Sequence, residues 1–414
     1  MPKILIFTHE HIVDIAGGAE RIFVDMANEF CSKGYEVIAM YNSPKKGSPF
    51  YTFDSKVKFV NLHYENVENN PQIPSCKCKI EDFICRNFWS ETYEEYDNTA
   101  QKFENFINKE KPDLIICYFV FLFREISYCR NYKIPTIIMM HSDPDRYFKF
   151  FGTKYFELNK LALNKADCVT VLMPSFKKQA AKYYLGNIEV IGNPVDLIEK
   201  TESKISENKE IYKISCISRI DKFKRQDILI EAFASIANDY PNWELNLYGQ
   251  AQPPELLDKI NALIQKSGFD NQIDYKGVIS DAYEILKDTD IFVLPSDFEG
   301  FSLSTAEAMN AGVPCIAFND CPGVNELIIH NQTGLLCEKT PESLADSINY
   351  LIKNKDLRIK FGQNGKKEIE KYDSAIIWGK WLDLTKKIIK KPIKKFNSKL
   401  ILFLLLFKSL LFKK

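Results

Sequence analysis

What most restricts the fold of this chain is a repeated alternation. Short, unbroken apolar runs of β-rich residues are separated by longer stretches with helical periodicity. Ile4–Phe7, Val37–Tyr41, Leu114–Phe119, Thr136–Met140, Val169–Leu172 and Glu189–Ile191 make a first series of candidate strands. Lys213–Ile217, Glu244–Tyr248, Ile291–Leu294 and Cys315–Phe318 make a second. Strands that are apolar from end to end are covered on both faces, which is the condition of a parallel sheet with crossover helices. A polar stretch from Glu199 to Glu210 divides the two series, so two doubly wound α/β domains are expected. Open sheets of this kind bind ligands beyond the carboxyl ends of their strands, so two of them should face each other across a cleft. No sequence repeat relates the halves. Residues 64–100, rich in Asn, Tyr, Glu and Cys, break the rhythm and read as an insertion.

Composition sharpens this. The 414 residues are 45% apolar and 27% charged, enough for two or three cored domains and too apolar for disorder. Lys+Arg and Asp+Glu are 55 each, so no net field points to nucleic acid. The balance hides an asymmetry: residues 386–414 hold ten lysines and no acid. The N-terminal apolar run Ile4–Phe7 is too short for the core of a signal peptide. Eleven cysteines, scattered through apolar segments, suit free buried thiols in a reducing compartment. Cys76, Cys78 and Cys85 lack the spacing of a metal cluster, and Asp143-Pro-Asp145 is a triplet expected by chance; no metal is expected.

The chemistry should lie in the turns that follow strands. The richest is Asp297-Phe-Glu299-Gly-Phe-Ser-Leu-Ser-Thr-Ala-Glu307-Ala-Met-Asn-Ala-Gly312. A helix is expected to start near Ser302–Ser304, with Ser304 and Glu307 in capping-box spacing, and to stop at Gly312. Amides at Phe301–Ser304 would present the positive end of that helix to an anion, and Glu299 and Glu307 could take hydroxyls of the same ligand. A second turn, Ser218-Arg219-Ile-Asp-Lys-Phe-Lys224, places two cations after a strand, with Lys224 at the start of a helix. A planar guanidinium and an ammonium there suit a diphosphate. In the first half, Gly17-Gly18 precedes a helical segment, and His141 ends the run Thr136–Met140. Both can be structural as readily as functional. The dinucleotide fingerprint Gly-x-Gly-x-x-Gly is absent from this turn, which disfavours a nicotinamide enzyme.

Together these segments resemble the retaining glycosyltransferases of family four, of the bacterial surface-glycan type. The resemblance runs from Gly17-Gly18 through Ile134–His141 and Asn193-Pro-Val-Asp196 to Glu299 and Glu307, with Arg219 and Lys224 between. It implies the GT-B fold, two Rossmann-like domains facing across a cleft. It also implies roles. Arg219 and Lys224 would hold the diphosphate of a nucleotide sugar, aided by the amides of Ser302 and Leu303. Glu307 would bind the ribose and Glu299 the transferred sugar. Gly277 and Val278, after a strand at Ile273–Lys276, would receive the base. His141, Gly17 and Gly18 would close the reaction centre, and Asn193 would join the donor site through the interdomain stretch. His141, Glu299, Arg219 and Lys224 are thus the candidate catalytic residues. One departure stands out: the family often carries Gly-x-Gly after the strand corresponding to Glu244–Tyr248, where this chain has Gly249-Gln-Ala251-Gln-Pro-Pro.

The expected organisation is an acceptor-side domain at 1–196, a linker at 197–210, and a nucleotide-sugar domain at 211–371. A helix at 372–391 can cross back to the first domain, and a basic, apolar tail occupies 392–414. From Leu400 to Phe412 the tail is too short, at about 20 Å as a helix, to span a bilayer of about 30 Å. Flanked by lysines, it suits an anionic membrane surface, with burial against the body or a protein partner as the other use. The expected activity is transfer of a hexose or N-acetylhexosamine from a nucleotide sugar, UDP-linked by preference, to a lipid-linked or surface-glycan acceptor. No cofactor or metal is expected, and the expected location is cytoplasmic, peripheral on the inner face of the cell membrane. The alternatives are a soluble or protein acceptor, or a non-catalytic GT-B partner subunit.

Overall fold

The computed structural model describes residues 1–8, 12–65, 93–119, 134–150, 156–198 and 209–391. The chain divides into two compact units, Met1–Ile191 with the residues from Trp378 on, and Gly192–Ile377. The division falls after Ile191 instead of after residue 196, so Asn193 belongs to the second unit. Most of the expected linker (199–208) and the tail 392–414 lie outside the described residues, as do Cys76, Cys78 and Cys85.

In the first unit seven strands pair in parallel: β1 (Lys3–Phe7), β2 (Glu36–Tyr41), β3 (Lys58–Asn61), β4 (Leu114–Cys117), β5 (Thr136–Met140), β6 (Cys168–Val171) and β7 (Asn187–Val190). Their order is β3-β2-β1-β4-β5-β6-β7, which reverses direction at β1. The central strands are apolar throughout because helices cover both faces; Ile4, Leu5, Ile6, Leu114, Ile115 and Ile116 are fully buried. Helix Gly18–Ser32 buries Ile22, Phe23, Met26, Ala27 and Phe30, the i, i+4, i+8 stripe of a surface helix. Helix Tyr93–Glu110 buries Phe103, Phe106 and Ile107. It is part of this cover, so the expected insertion at 64–100 runs too far: its last residues begin a helix of the fold.

The second unit repeats the plan with β8 (Tyr212–Ile217), β9 (Trp243–Tyr248), β10 (Ile273–Gly277), β11 (Ile291–Leu294), β12 (Cys315–Phe318) and β13 (Gly334–Cys337). All pairings are parallel and the order is β10-β9-β8-β11-β12-β13, reversing at β8. The two sheets are therefore Rossmann-like. The last helix, Ser374–Lys390, begins in the second unit and from Trp378 belongs to the first. There it buries Trp381, Leu384 and Ile388, and Lys387 reaches Glu189 on β7 at 3.3 Å. Among the described residues seven cysteines are free thiols, six of them buried. No described helix is long and apolar enough to cross a membrane.

At the amino end of the first sheet Glu110 accepts from Lys58 at 2.6 Å and from Lys3 at 3.2 Å. The Lys58 hydrogen bond, with Lys3 behind it, holds the Glu110 carboxyl below its usual range. Because the folded value lies below the unfolded one, this stabilisation is full above about pH 4.3 and is lost as pH falls through the folded value. Glu110→Gln should cost about 1 kcal/mol at pH 7 and have a shallower loss of melting temperature between pH 4.5 and pH 2.5, roughly the window this linkage sets. Parallel melting-temperature curves for the two proteins across that window would remove the assignment.

Candidate active site

In the second unit β8 and β11 are neighbours, while the chain leaving β8 crosses to β9 on its other side. Crossovers on opposite faces leave a crevice between the turns that follow β8 and β11, the usual ligand site of such a sheet. Both motifs singled out above fall there. The turn after β8 is shaped by Asp221, which accepts from the Phe223 amide at 2.8 Å and, through its carbonyl, from the Lys224 amide at 3.1 Å. Buried Gln226 donates to Ser218 Oγ at 3.0 Å and to the Arg219 carbonyl at 2.9 Å. The helix begins at Gln226, not at Lys224, because Arg225 takes a left-handed conformation (φ 49°) just before it. Lys224 is consequently a turn residue.

The turn after β11 docks on this one. The Asp297 amide donates to the Phe223 carbonyl at 2.8 Å, and the rings of Phe223 and Phe298 meet edge to face at 5.1 Å. Lys224 Nζ then lies 2.5 Å from Glu299 Oε1, with both side chains about seven-eighths buried. Ser296 donates to the same oxygen at 2.7 Å. The loop after β12 closes the base: the Glu299 amide donates to the Pro322 carbonyl at 3.0 Å. Gly323 (φ +80°) passes so near that a Cβ would sit 2.5 Å from the Glu299 carbonyl, so only glycine fits.

The helix that follows spans Leu303–Asn310. Its cap is Ser302, whose Oγ accepts from the Thr305 amide at 3.2 Å, so the expected Ser304–Glu307 box is not formed. The helix starts two residues earlier than that box requires, which puts Glu307 in its second turn. The Ala306 amide goes to the Ser302 carbonyl, so the first amides, at Leu303 and Ser304, are those a ligand would use. The ring of Phe301 is buried against Tyr372, 4.9 Å away, beside Gly192, so only its main chain can serve the site. Asn193 is buried in the adjoining segment, which is fixed by Asn310 donating to the Asp196 carbonyl at 2.8 Å.

Arg219 points differently from Lys224. Its guanidinium donates to Gln252 Oε1 at 3.0 Å and stands 3.7 Å from Asp221, with 41% of the side chain exposed. Beyond β9, Gly277 closes β10, its carbonyl accepting from the Gly249 amide at 2.9 Å, and Val278 is an exposed apolar residue.

In the first unit the corresponding strand ends carry His141. Its ring stacks on Tyr118 at 4.3 Å, and Phe119 adds a tilted contact at 5.6 Å. Burial pushes the Tyr118 phenol far above its ordinary range, so that ring is a neutral platform. Tyr118 meets Phe23 of helix Gly18–Ser32 edge to face at 5.2 Å. Gly17 occupies the cap position of that helix, and the space beside it is taken by the Glu20 carboxylate, 2.0 Å from where a Cβ would be. Asp143 accepts from the Arg146 amide at 3.0 Å at a helix start, while Asp145 binds Lys182 and Tyr183. The Asp143–Asp145 pair is thus committed to structure.

Three residues at the site escaped the motif reading. Ser296, Gln226 and Gln252 carry no charge and sit in no spacing pattern; only the turn geometry shows what they hold. The Gly249–Gln252 departure was the one visible signal.

Two family profiles together cover residues 16–368: Glycosyltransferase Family 4 over residues 16–199 and Glycosyl transferases group 1 over residues 198–368. An uncharacterized glycosyltransferase of Haemophilus influenzae is 27% identical over 372 residues, 88% of this chain and 95% of that protein. A poly(ribitol-phosphate) alpha-N-acetylglucosaminyltransferase of Staphylococcus aureus is 32% identical over 170 residues, 41% of this chain and 34% of that enzyme. Among solved structures, a Staphylococcus aureus TarM variant crystallised with fondaparinux, alpha-GlcNAc-glycerol and UDP superposes with a TM-score of 0.74 at 18% identity, covering 94% of this chain and 100% of its own. With the two profiles on the two Rossmann-like sheets, the chain belongs to the family-four glycosyltransferases of GT-B fold.

Proposed function

We propose that this enzyme transfers a hexose or N-acetylhexosamine, with retention, from a nucleoside diphosphate sugar to a surface-glycan or lipid-linked acceptor. The observation that carries the reading is the meeting of Lys224 and Glu299 at 2.5 Å, beside Arg219 and a serine-capped helix start, where the second sheet reverses. Cations and helix amides suit phosphate oxygens, and carboxylates suit sugar and ribose hydroxyls. When donor enters, its phosphate replaces Glu299 as the partner of Lys224, and Glu299 turns to the sugar hydroxyls. Glu307 takes the ribose and the Gly277–Val278 edge the base. UDP is the preferred nucleotide; it is the one crystallised with the TarM variant. In the first unit, the strand ends with His141 and Gly17–Gly18 receive the acceptor.

In the transfer step the bond between the anomeric carbon and the diphosphate oxygen breaks, and its electron pair stays on that oxygen. The acceptor hydroxyl attacks on the same face and gives its proton to the departing phosphate. Negative charge therefore grows on the diphosphate held by Arg219, Lys224 and the amides of Leu303 and Ser304, and preoriented donors of that kind stabilise a transition state by several kcal/mol. These groups supply the positive charge that a divalent ion would otherwise bring.

The basic tail at 392–414 is proposed to hold the enzyme on an anionic membrane at the inner face of the cell, near a lipid-linked acceptor. Lys386, Lys387, Lys390 and Lys391, which lead into it, are exposed.

Three experiments test the proposal. Arg219→Ala and Lys224→Ala should each lower kcat/KM by about a hundredfold or more, as loss of a transition-state donor does. Near-normal turnover in the folded double variant would refute the leaving-group role and favour a non-catalytic partner. Turnover should survive EDTA unchanged; a loss restored by Mg²⁺ or Mn²⁺ would show that a metal is required. The full chain should sediment with anionic vesicles and a chain lacking 393–414 should not, whereas equal sedimentation would dismiss the tail as the anchor.

A further inference from the structure

The two cations of the donor site are held by chemically different partners. Lys224 is paired with a carboxylate at 2.5 Å and is largely buried, so its charge is neutralised locally until a ligand displaces Glu299. Arg219 is held by a neutral amide oxygen: its guanidinium donates to Gln252 Oε1 at 3.0 Å. The nearby Asp221 carboxylate lies beyond hydrogen-bond reach at 3.7 Å, and its other oxygen is occupied by the Phe223 amide at 2.8 Å.

Gln252 is where it is because the loop after β9 is bonded in register to the turn after β8. The Ile220 amide donates to the Gln250 carbonyl and the Gln252 amide to the Ile220 carbonyl, both at 2.9 Å, with Ile220 and Ala251 forming a parallel bridge. That approach depends on Gly249 (φ +135°), where a Cβ would stand 2.0 Å from the Ser218 carbonyl. Tyr275 ties the same loop to β10 by donating to the Gly249 carbonyl at 2.8 Å. The segment that departs from the family's Gly-x-Gly pattern is therefore a third arm of the site, and its side-chain contact is with Arg219.

We propose that Gln252 is a positioning residue that aims the Arg219 guanidinium at the donor diphosphate while adding no negative charge to that of Asp221, 3.7 Å away. An amide oxygen accepts one N–H and fixes the plane of the fork. A carboxylate in its place would hold the fork as well and cancel the charge the diphosphate needs. This rests on the assignment of Arg219 to the diphosphate, and the test separates the two ideas.

Binding of UDP, GDP and ADP, each beside its nucleoside, is measured calorimetrically for the full chain and for Arg219→Ala, Gln252→Ala and Gln252→Glu. Melting temperatures check that each variant is folded. The tightest diphosphate should lose affinity with Arg219→Ala, and its nucleoside should not. Gln252→Ala should weaken that diphosphate by a few-fold. Gln252→Glu should weaken it by more than about tenfold, although it keeps an acceptor, because a carboxylate now competes with the phosphate. That extra loss should shrink as salt is raised. A loop-shaping role alone predicts the reverse ranking, with Gln252→Glu milder than Gln252→Ala. That ranking, alongside a weakened Arg219→Ala, overturns the role of Gln252 and leaves the donor site standing. Unchanged affinity in Arg219→Ala, or no diphosphate bound by the full chain, overturns the donor assignment and this inference with it.

Discussion

The site depends on the reversal of strand order at β8. A parallel sheet wound from the middle outward must send its crossovers to opposite faces, and the turns after β8 and β11 are then adjacent with no helix between them. Residues as far apart in sequence as Lys224 and Glu299 meet because of it. The docking of the Asp297 amide on the Phe223 carbonyl and the contact of the two phenyl rings convert adjacency into fixed geometry. The first sheet reverses in the same way at β1, which places the Tyr118–His141 stack and the helix start at Gly18 at one end of that unit.

The electrostatics of the second unit follow from what each charge is given as a partner. A largely buried lysine without a counter-ion would be costly, so Lys224 needs Glu299 in the unliganded protein. In the proposed function, a carboxylate that releases a cation to a phosphate and then accepts sugar hydroxyls is satisfied in both states. Elsewhere, buried charge is spent on architecture. Asp290 is fully buried and accepts from the Lys213 amide and Lys209. Arg358 is buried with its guanidinium on the Leu351 and Ile352 carbonyls and over the Trp243 ring. Thiols such as Cys216, pushed up to about 12 by burial, remain protonated beside the site.

Central strands were legible because both of their faces are covered, so β1, β4, β5, β11 and β12 read as unbroken apolar runs. The edges were not. Lys58–Asn61 has one buried residue in four, and Gly334–Cys337 opens on a glycine, so neither stands out by hydropathy. The charged site residues were legible through spacing and resemblance, but their local frames were not. Whether Ser302 or Ser304 caps the helix turns on where the β11 loop ends, and Arg225's left-handed backbone delays the helix after β8 by two residues. Gln252 depends on a loop-to-turn pairing that no local pattern encodes.

The most direct measurement is a crystal structure of the enzyme with a bound nucleoside diphosphate. The expected result is phosphate oxygens within hydrogen-bond distance of Lys224 Nζ, the Arg219 guanidinium and the amides of Leu303 and Ser304, with Glu299 released from Lys224. A nucleotide lodged elsewhere, with the Lys224–Glu299 pair intact, would contradict the placement of the diphosphate at the reversal of the second sheet.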